Sequence, residues 1–271
     1  MIIVTGVTGK LGRVAVEDLL EHVPADQVAA VARDPRKAAD LTGRGVDVRA
    51  GDYEDPESLR AAFAGADVVL LVSSPDTTPG TRPRQHGNAI DAARAVGVGR
   101  IVYTSAVGAD DGPGFLADHT VTEGLLRDSG VPHTILRNTF YTEALVNPGL
   151  HAAVEAGELR GADGGVPVNF ATIDDLGRAA AAALVGDGHV GQVYELRGPL
   201  WTVADLAQTL TEVSGRPVVY RAVPAADVGP IAFVHDLIAS GLFSQPSGDL
   251  EKLLGRPPVG LRAAVEAVLR S

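Results

Sequence analysis

The chain has 271 residues, 45% of them hydrophobic, which is enough for one large α/β domain or one with a small appendage. Its 23 Lys and Arg against 34 Asp and Glu leave a net charge of −11, which argues against direct nucleic-acid binding and attachment to anionic membranes. The absence of Cys removes disulfides, thiolate metal sites and cysteine nucleophiles together.

Met1 enters a short apolar run at once, with no charged or apolar leader, and no apolar run is long enough to span a bilayer. The expected setting is the cytoplasm. Ile2–Val4 reads as a buried strand. It stops at Gly6, and Gly9 and Gly12 complete a G-x-x-G-x-x-G loop that runs into the amphipathic segment Leu11–Leu20. Such a turn lets the main chain approach a pyrophosphate and offers it the free N–H groups of a helix start. A dinucleotide site is therefore expected here.

Strands are expected at Ile2–Thr5, Val28–Ala32, Val46–Ala50, Val68–Ser73, Arg100–Ser105 and His133–Arg137. Helices are expected at Lys10–His22, Pro35–Leu41, Pro56–Phe63, Arg84–Val96, Asp118–Ser129 and Thr139–Val146. Continuous apolar strands alternating with helices predict a Rossmann-type, doubly wound parallel sheet. Thr172–Val185 reads as an Ala-rich helix, Gln192–Leu196 as a strand, Thr202–Ser214 as a helix opened by Thr202 and Asp205, and Arg216–Ala222 as a strand. Residues 1–150 are expected to form the nucleotide-binding domain. Residues 151–271 are expected to complete the sheet and to form a smaller C-terminal α/β substrate lobe, which contains a variable stretch from Pro224 to Pro246.

Arg33 ends the second strand, where an NAD-preferring site usually carries a carboxylate. An Arg there suits the 2′-phosphate of NADPH, with Arg36 and Lys37 adding positive potential; the alternative is a solvated basic stretch at a helix start, partly neutralised by Asp34. Lys10 lies within the glycine loop. Asp52, after the third strand, can accept from an adenine amino group or simply lead a helix. Ser73 and Ser74 close the fourth strand with small polar groups that suit a passing cofactor or an ordinary loop.

The ordered set Val4-Thr5-Gly6-Val7-Thr8-Gly9-Lys10-Leu11-Gly12, Val31-Ala32-Arg33-Asp34-Pro35, Tyr103-Thr104-Ser105, His119-Thr120-Val121-Thr122-Glu123, Leu136-Arg137-Asn138 with Phe140-Tyr141, and Leu253-Leu254-Gly255-Arg256-Pro257 resembles the NmrA-like group of atypical short-chain dehydrogenase/reductases. Within that group it is most similar to the type-2 NAD(P)H:quinone oxidoreductases. The resemblance implies that Gly6, Thr8, Gly9, Lys10, Leu11 and Gly12 hold the pyrophosphate region and Arg33 the 2′-phosphate. It puts Ser73 and Ser74 along the cofactor and Asn138 and Tyr141 beside the nicotinamide and substrate. Ala171-Thr172-Ile173 would help to close the site, with Ile173 where relatives often carry a basic residue.

Members that reduce ordinary ketones use Tyr-x-x-x-Lys, and no tyrosine here has Lys four residues on. Gly124 stands where quinone-reductase relatives often carry Lys. Quinone reduction tolerates this, because the product is aromatic and its oxyanion is far more acidic than an alkoxide. Positioning and one donor then suffice. Candidate donors are Tyr141, Ser105 and His119, each of which can instead be structural. The seven His form no metal-binding spacing, and no G-x-S-x-G elbow is present. The expected activity is hydride transfer from NADPH to a quinone or similarly activated small molecule. A non-catalytic redox sensor that reports to a protein partner is the alternative, and a reductase or isomerase of a specialised metabolite is a third. The oligomeric state is open, a homodimer included.

Overall fold

The computed structural model describes residues 1–110 and 114–270. In chain order the strands are β1 (Ile2–Val4), β2 (Val28–Ala32), β3 (Asp47–Ala50), β4 (Val68–Leu71), β5 (Arg100–Ala106), β6 (His133–Asn138), β7 (Glu158–Gly161), β8 (Val193–Leu196) and β9 (Val219–Ala222). The helices are α1 (Lys10–His22), α2 (Ala39–Thr42), α3 (Pro56–Phe63), α4 (Thr81–Ala95), α5 (Ala117–Ser129), α6 (Leu150–Ala156), α7 (Ile173–Val185), α8 (Val203–Ser214), α9 (Ala232–Ala239), α10 (Asp249–Leu254) and α11 (Leu261–Leu269).

Seven strands form one sheet in the order β3-β2-β1-β4-β5-β6-β8. Every registered pairing from β3 to β6 is parallel. This is the doubly wound Rossmann arrangement, whose order reverses between β1 and β4. Burial on both faces explains the apolar runs: β2 and β4 are buried throughout. On one face Ile3, Val69, Leu71, Ile101 and Tyr103 pack with Phe63 of α3, Ile90 of α4 and Leu126 of α5.

The chain divides into two compact units, one of residues Met1–Asn138 with Leu176–Glu195 and the other of Thr139–Asp175 with Leu196–Ser271. The second unit holds the parallel pair β7-β9. It also gathers Phe140, Tyr141, Phe170, Trp201, Phe233 and Phe243, with neighbouring ring centroids 5.4–6.4 Å apart. Four of the six Phe and the sole Trp are therefore in this cluster. Asp175, with no exposed surface, accepts from Arg256 Nη2 (2.7 Å) and Val259 N (2.6 Å), which ties the Leu253–Pro257 motif to the start of α7.

Several expected elements change: the strand expected over Val68–Ser73 ends at Leu71, and the one expected from Arg216 begins at Val219. Pro35–Leu41 is a 3₁₀ turn over Pro35–Ala38 followed by α2. Thr139–Val146 is not a helix: Phe140 O accepts from Ala171 N (3.2 Å) and Thr142 N donates to Ala171 O (2.9 Å), holding the segment extended before a short turn at Thr142–Ala144. The helix expected from Arg84 begins at Thr81. Pro83 lies in its first turn, where a missing N–H costs nothing.

Candidate functional site

The glycine loop ends β1 at the point where the strand order reverses. Gly6 has φ +65°, a conformation side chains disfavour, and its carbonyl accepts from Gly9 N (2.9 Å). A Cβ on Gly12 would lie 2.6 Å from Gly6 O, so only glycine lets α1 begin this close to the turn. α1 has Gly9 at its cap, no side-chain cap and no acid in its first turn. The N–H groups of Lys10, Leu11 and Gly12 thus have no partner within the helix, which suits an anion. Thr8, Gly9 and Lys10 are exposed, and Leu11 and Gly12 are buried.

Arg33 is exposed at the end of β2 and makes no hydrogen bond or ion pair with the described residues. Asp34, the acid that would repel a phosphate there, is occupied by Arg36, whose Nε and Nη2 reach its two oxygens at 2.9 Å. The Arg36 guanidinium holds the Asp34 carboxyl below its usual range. Asp52 is half-buried, accepts from Glu54 N (3.0 Å) and donates its own N–H to Ser58 Oγ (3.0 Å). Ser73 is half-buried and takes a long 3.4 Å contact from Thr104 Oγ1. Ser74 is buried and accepts from Asp76 N (3.2 Å).

Asn138 ends β6 with 8% exposure, and its Oδ1 is buried without a partner among the described residues. A buried orphan acceptor is costly and marks a place where a ligand donor fits. With the uncapped helix start and the unpaired Arg33, this donor and acceptor set fits a phosphorylated dinucleotide bearing a carboxamide. Thr172, in the second unit, caps α7 by accepting from Asp175 N (3.1 Å).

The three proton-donor candidates sit in different surroundings. Ser105 is 2% exposed and donates to Glu123 Oε1 (2.6 Å), and Glu123 in turn binds Arg137 through Nε (3.0 Å) and Nη2 (2.8 Å). His119 is 6% exposed, with Nδ1 on the Tyr103 hydroxyl (2.7 Å) and Nε2 beside Arg82 Nη1 (3.5 Å). Burial, and then Arg82, pushes its pKa down to about 3, so the ring is neutral near pH 7. Tyr141 is 38% exposed, and its hydroxyl makes no hydrogen bond with the described residues. Partial burial, and then nearby Glu143, raises its pKa.

Around the end of β4 lie Tyr53, Arg82, His86 and Thr104, none of them among the expected site residues. His86 is fully buried, and burial, then His119 and Arg82, brings its pKa down to about 3. Both buried histidines thus have folded pKa values below the ordinary 6.5. The unfolded chain takes up protons first, so their contribution to stability is complete above pH 6.5 and lost as pH falls toward 3. Thermal melts should show a midpoint that is level above pH 7 and falls between pH 6.5 and 4.5. A level midpoint across that window would contradict the neutral assignment.

Among the described residues no helix is long and apolar enough to cross a membrane, and no His/Asp/Glu group could hold a metal ion. A family described as NAD(P)H-binding matches residues 6–167. The chain is 41% identical to quinone oxidoreductase 2 of Escherichia coli strain K12, over 98% of this chain and 97% of that protein. Among solved structures, triphenylmethane reductase of Citrobacter sp. complexed with NADP(H) superposes with a TM-score of 0.94 at 38% identity, covering 99% of this chain and all of that one. The NADPH-dependent quinone oxidoreductase of Escherichia coli complexed with NADPH gives a TM-score of 0.90 at 39% identity, again over 99% and 100%.

Proposed function

This chain belongs to the NAD(P)H-binding family, and on that footing we propose that it reduces a quinone, or a similarly activated small molecule, at the expense of NADPH. The observation that carries the reading is an uncapped, acid-free helix start beside an unpaired Arg33 at the next strand end. NADPH supplies the hydride when bound. Gly6, Thr8, Gly9, Lys10, Leu11 and Gly12 would cradle its pyrophosphate, and Arg33 would take the 2′-phosphate. Asp52 would serve the adenine end. Ser73 and Ser74 would run beside the cofactor, Asn138 would serve its carboxamide end, and Thr172 is a further candidate contact.

On the acceptor side we assign proton donation to Tyr141. Its hydroxyl makes no hydrogen bond with the described residues, whereas the Ser105 hydroxyl already donates a hydrogen bond to Glu123 and His119 is buried against Tyr103 and Arg82. The aromatic cluster, with Phe233 54% exposed, suits a planar acceptor. A cytoplasmic setting, where the reduced cofactor is regenerated, goes with this reading.

The test is NADPH oxidation at 340 nm with and without menadione, together with a binding titration on the same sample. Acceptor-dependent turnover supports the reductase. Tight binding without turnover across several quinones would favour the sensor. Tyr141→Phe should lower kcat by about tenfold, the worth of one hydrogen bond to a developing oxyanion, and leave the NADPH Kd unchanged. Unchanged turnover would make Tyr141 a packing residue.

A further inference from the structure

β4 ends at Leu71, yet the next three residues stay pinned, and side chains pin them. Thr5 Oγ1 accepts from Val72 N (2.9 Å), and the Tyr53 hydroxyl donates to Val72 O (2.7 Å). Thr104 Oγ1 accepts from Ser73 N (2.8 Å). His86 Nε2 accepts from Ser74 N (2.9 Å), and Arg82 Nε donates to Ser74 O (2.9 Å). Past the end of a strand, main-chain groups have lost their ladder partners and need others. Arg82 and His86 stand four apart on α4, hence on one face, and this helix grips both main-chain polar groups of one residue.

The orientation of His86 is fixed from behind. Because Nε2 accepts, the ring hydrogen is on Nδ1, where it donates to Thr122 Oγ1 (2.9 Å). The Thr122 hydroxyl passes its own hydrogen to Asp118 O (2.9 Å). The Tyr103 ring lies edge-on to the imidazole with centroids 5.3 Å apart.

We propose that His86 is a positioning residue for the cofactor: by accepting the Ser74 N–H it holds Ser73 and Ser74 in the conformation that meets NADPH. The proposal rests on the reading that these serines line the cofactor site. His86 acts through the main chain of Ser74 and touches no ligand. Without an acceptor, the buried Ser74 N–H must move to find another partner, and the loop moves with it.

The test is an NADPH titration followed by cofactor fluorescence on the wild type, His86→Leu and His86→Gln, with circular dichroism to confirm folding at the working temperature. Gln presents a carbonyl oxygen near the place of Nε2. His86→Leu should weaken NADPH about tenfold or more, and His86→Gln should stay within about threefold of wild type, even if both melt earlier. A purely structural role would lower both melting temperatures and leave the affinity of the folded protein unchanged, which would overturn the proposal. So would equal weakening by Gln and Leu. Should His86→Leu fail to fold, Thr122→Val removes the acceptor that fixes the ring. It should weaken NADPH several-fold, and unchanged affinity would again overturn the proposal. A wild-type protein that does not bind NADPH would overturn the underlying site reading instead.

Discussion

Replacing Arg33 by Ala should weaken NADPH about 100-fold and leave NADH within about twofold. The loss corresponds to about 2.7 kcal/mol, a reasonable worth for charge-assisted hydrogen bonds from a guanidinium to a phosphate dianion. Two local facts make a large effect reasonable. Among the described residues Arg33 has no partner to abandon, and the neighbouring carboxylate of Asp34 is already bound by Arg36. Fluorescence titrations with both cofactors check this. Equal losses for NADPH and NADH would remove the 2′-phosphate from Arg33.

Glu123→Ala should cost about 3 kcal/mol and lower the melting midpoint by about 6–12 °C in calorimetry. Glu123 is 1% exposed and receives the Ser105 hydroxyl and two donors of Arg137. Truncation strands that hydroxyl and one edge of a guanidinium only 14% exposed. Arg137 keeps a two-pronged pair with Asp110 (2.7 and 2.8 Å) and a contact to Glu195 (3.2 Å), which sets the cost at the low end for a broken buried pair. A change below about 1 kcal/mol would show that these two acids carry the arginine unaided.

The nucleotide-binding half was legible because its signals are local. A strand's apolar run, three glycines and an arginine at a strand end each state their own requirement, and the alternation of strands with helices points to a parallel, doubly wound sheet. The braces around Ser74 were hidden. Arg82 and His86, read along the chain, are polar residues at a Pro-rich helix start, and nothing local distinguishes a buried polar face from a solvated one. Their i, i+4 spacing was the available clue. The segment after Asn138 misled for a related reason. Its composition permits a helix, but two main-chain bonds to Ala171, about thirty residues away, hold it extended. In the second unit, elements such as α10, of six residues, are too short for hydrophobic periodicity to declare itself.

The aromatic cluster also gives the protein an uneven optical character. Trp201 is its sole indole, 6% exposed and edge-on to Phe170 at 6.0 Å. Intrinsic tryptophan emission therefore reports on the second unit alone, while the unit with the nucleotide-binding loop contributes no indole signal of its own. Emission from bound NADPH would supply the missing channel. During denaturation the two colours, read from one cuvette, would show whether the two units unfold together or in turn.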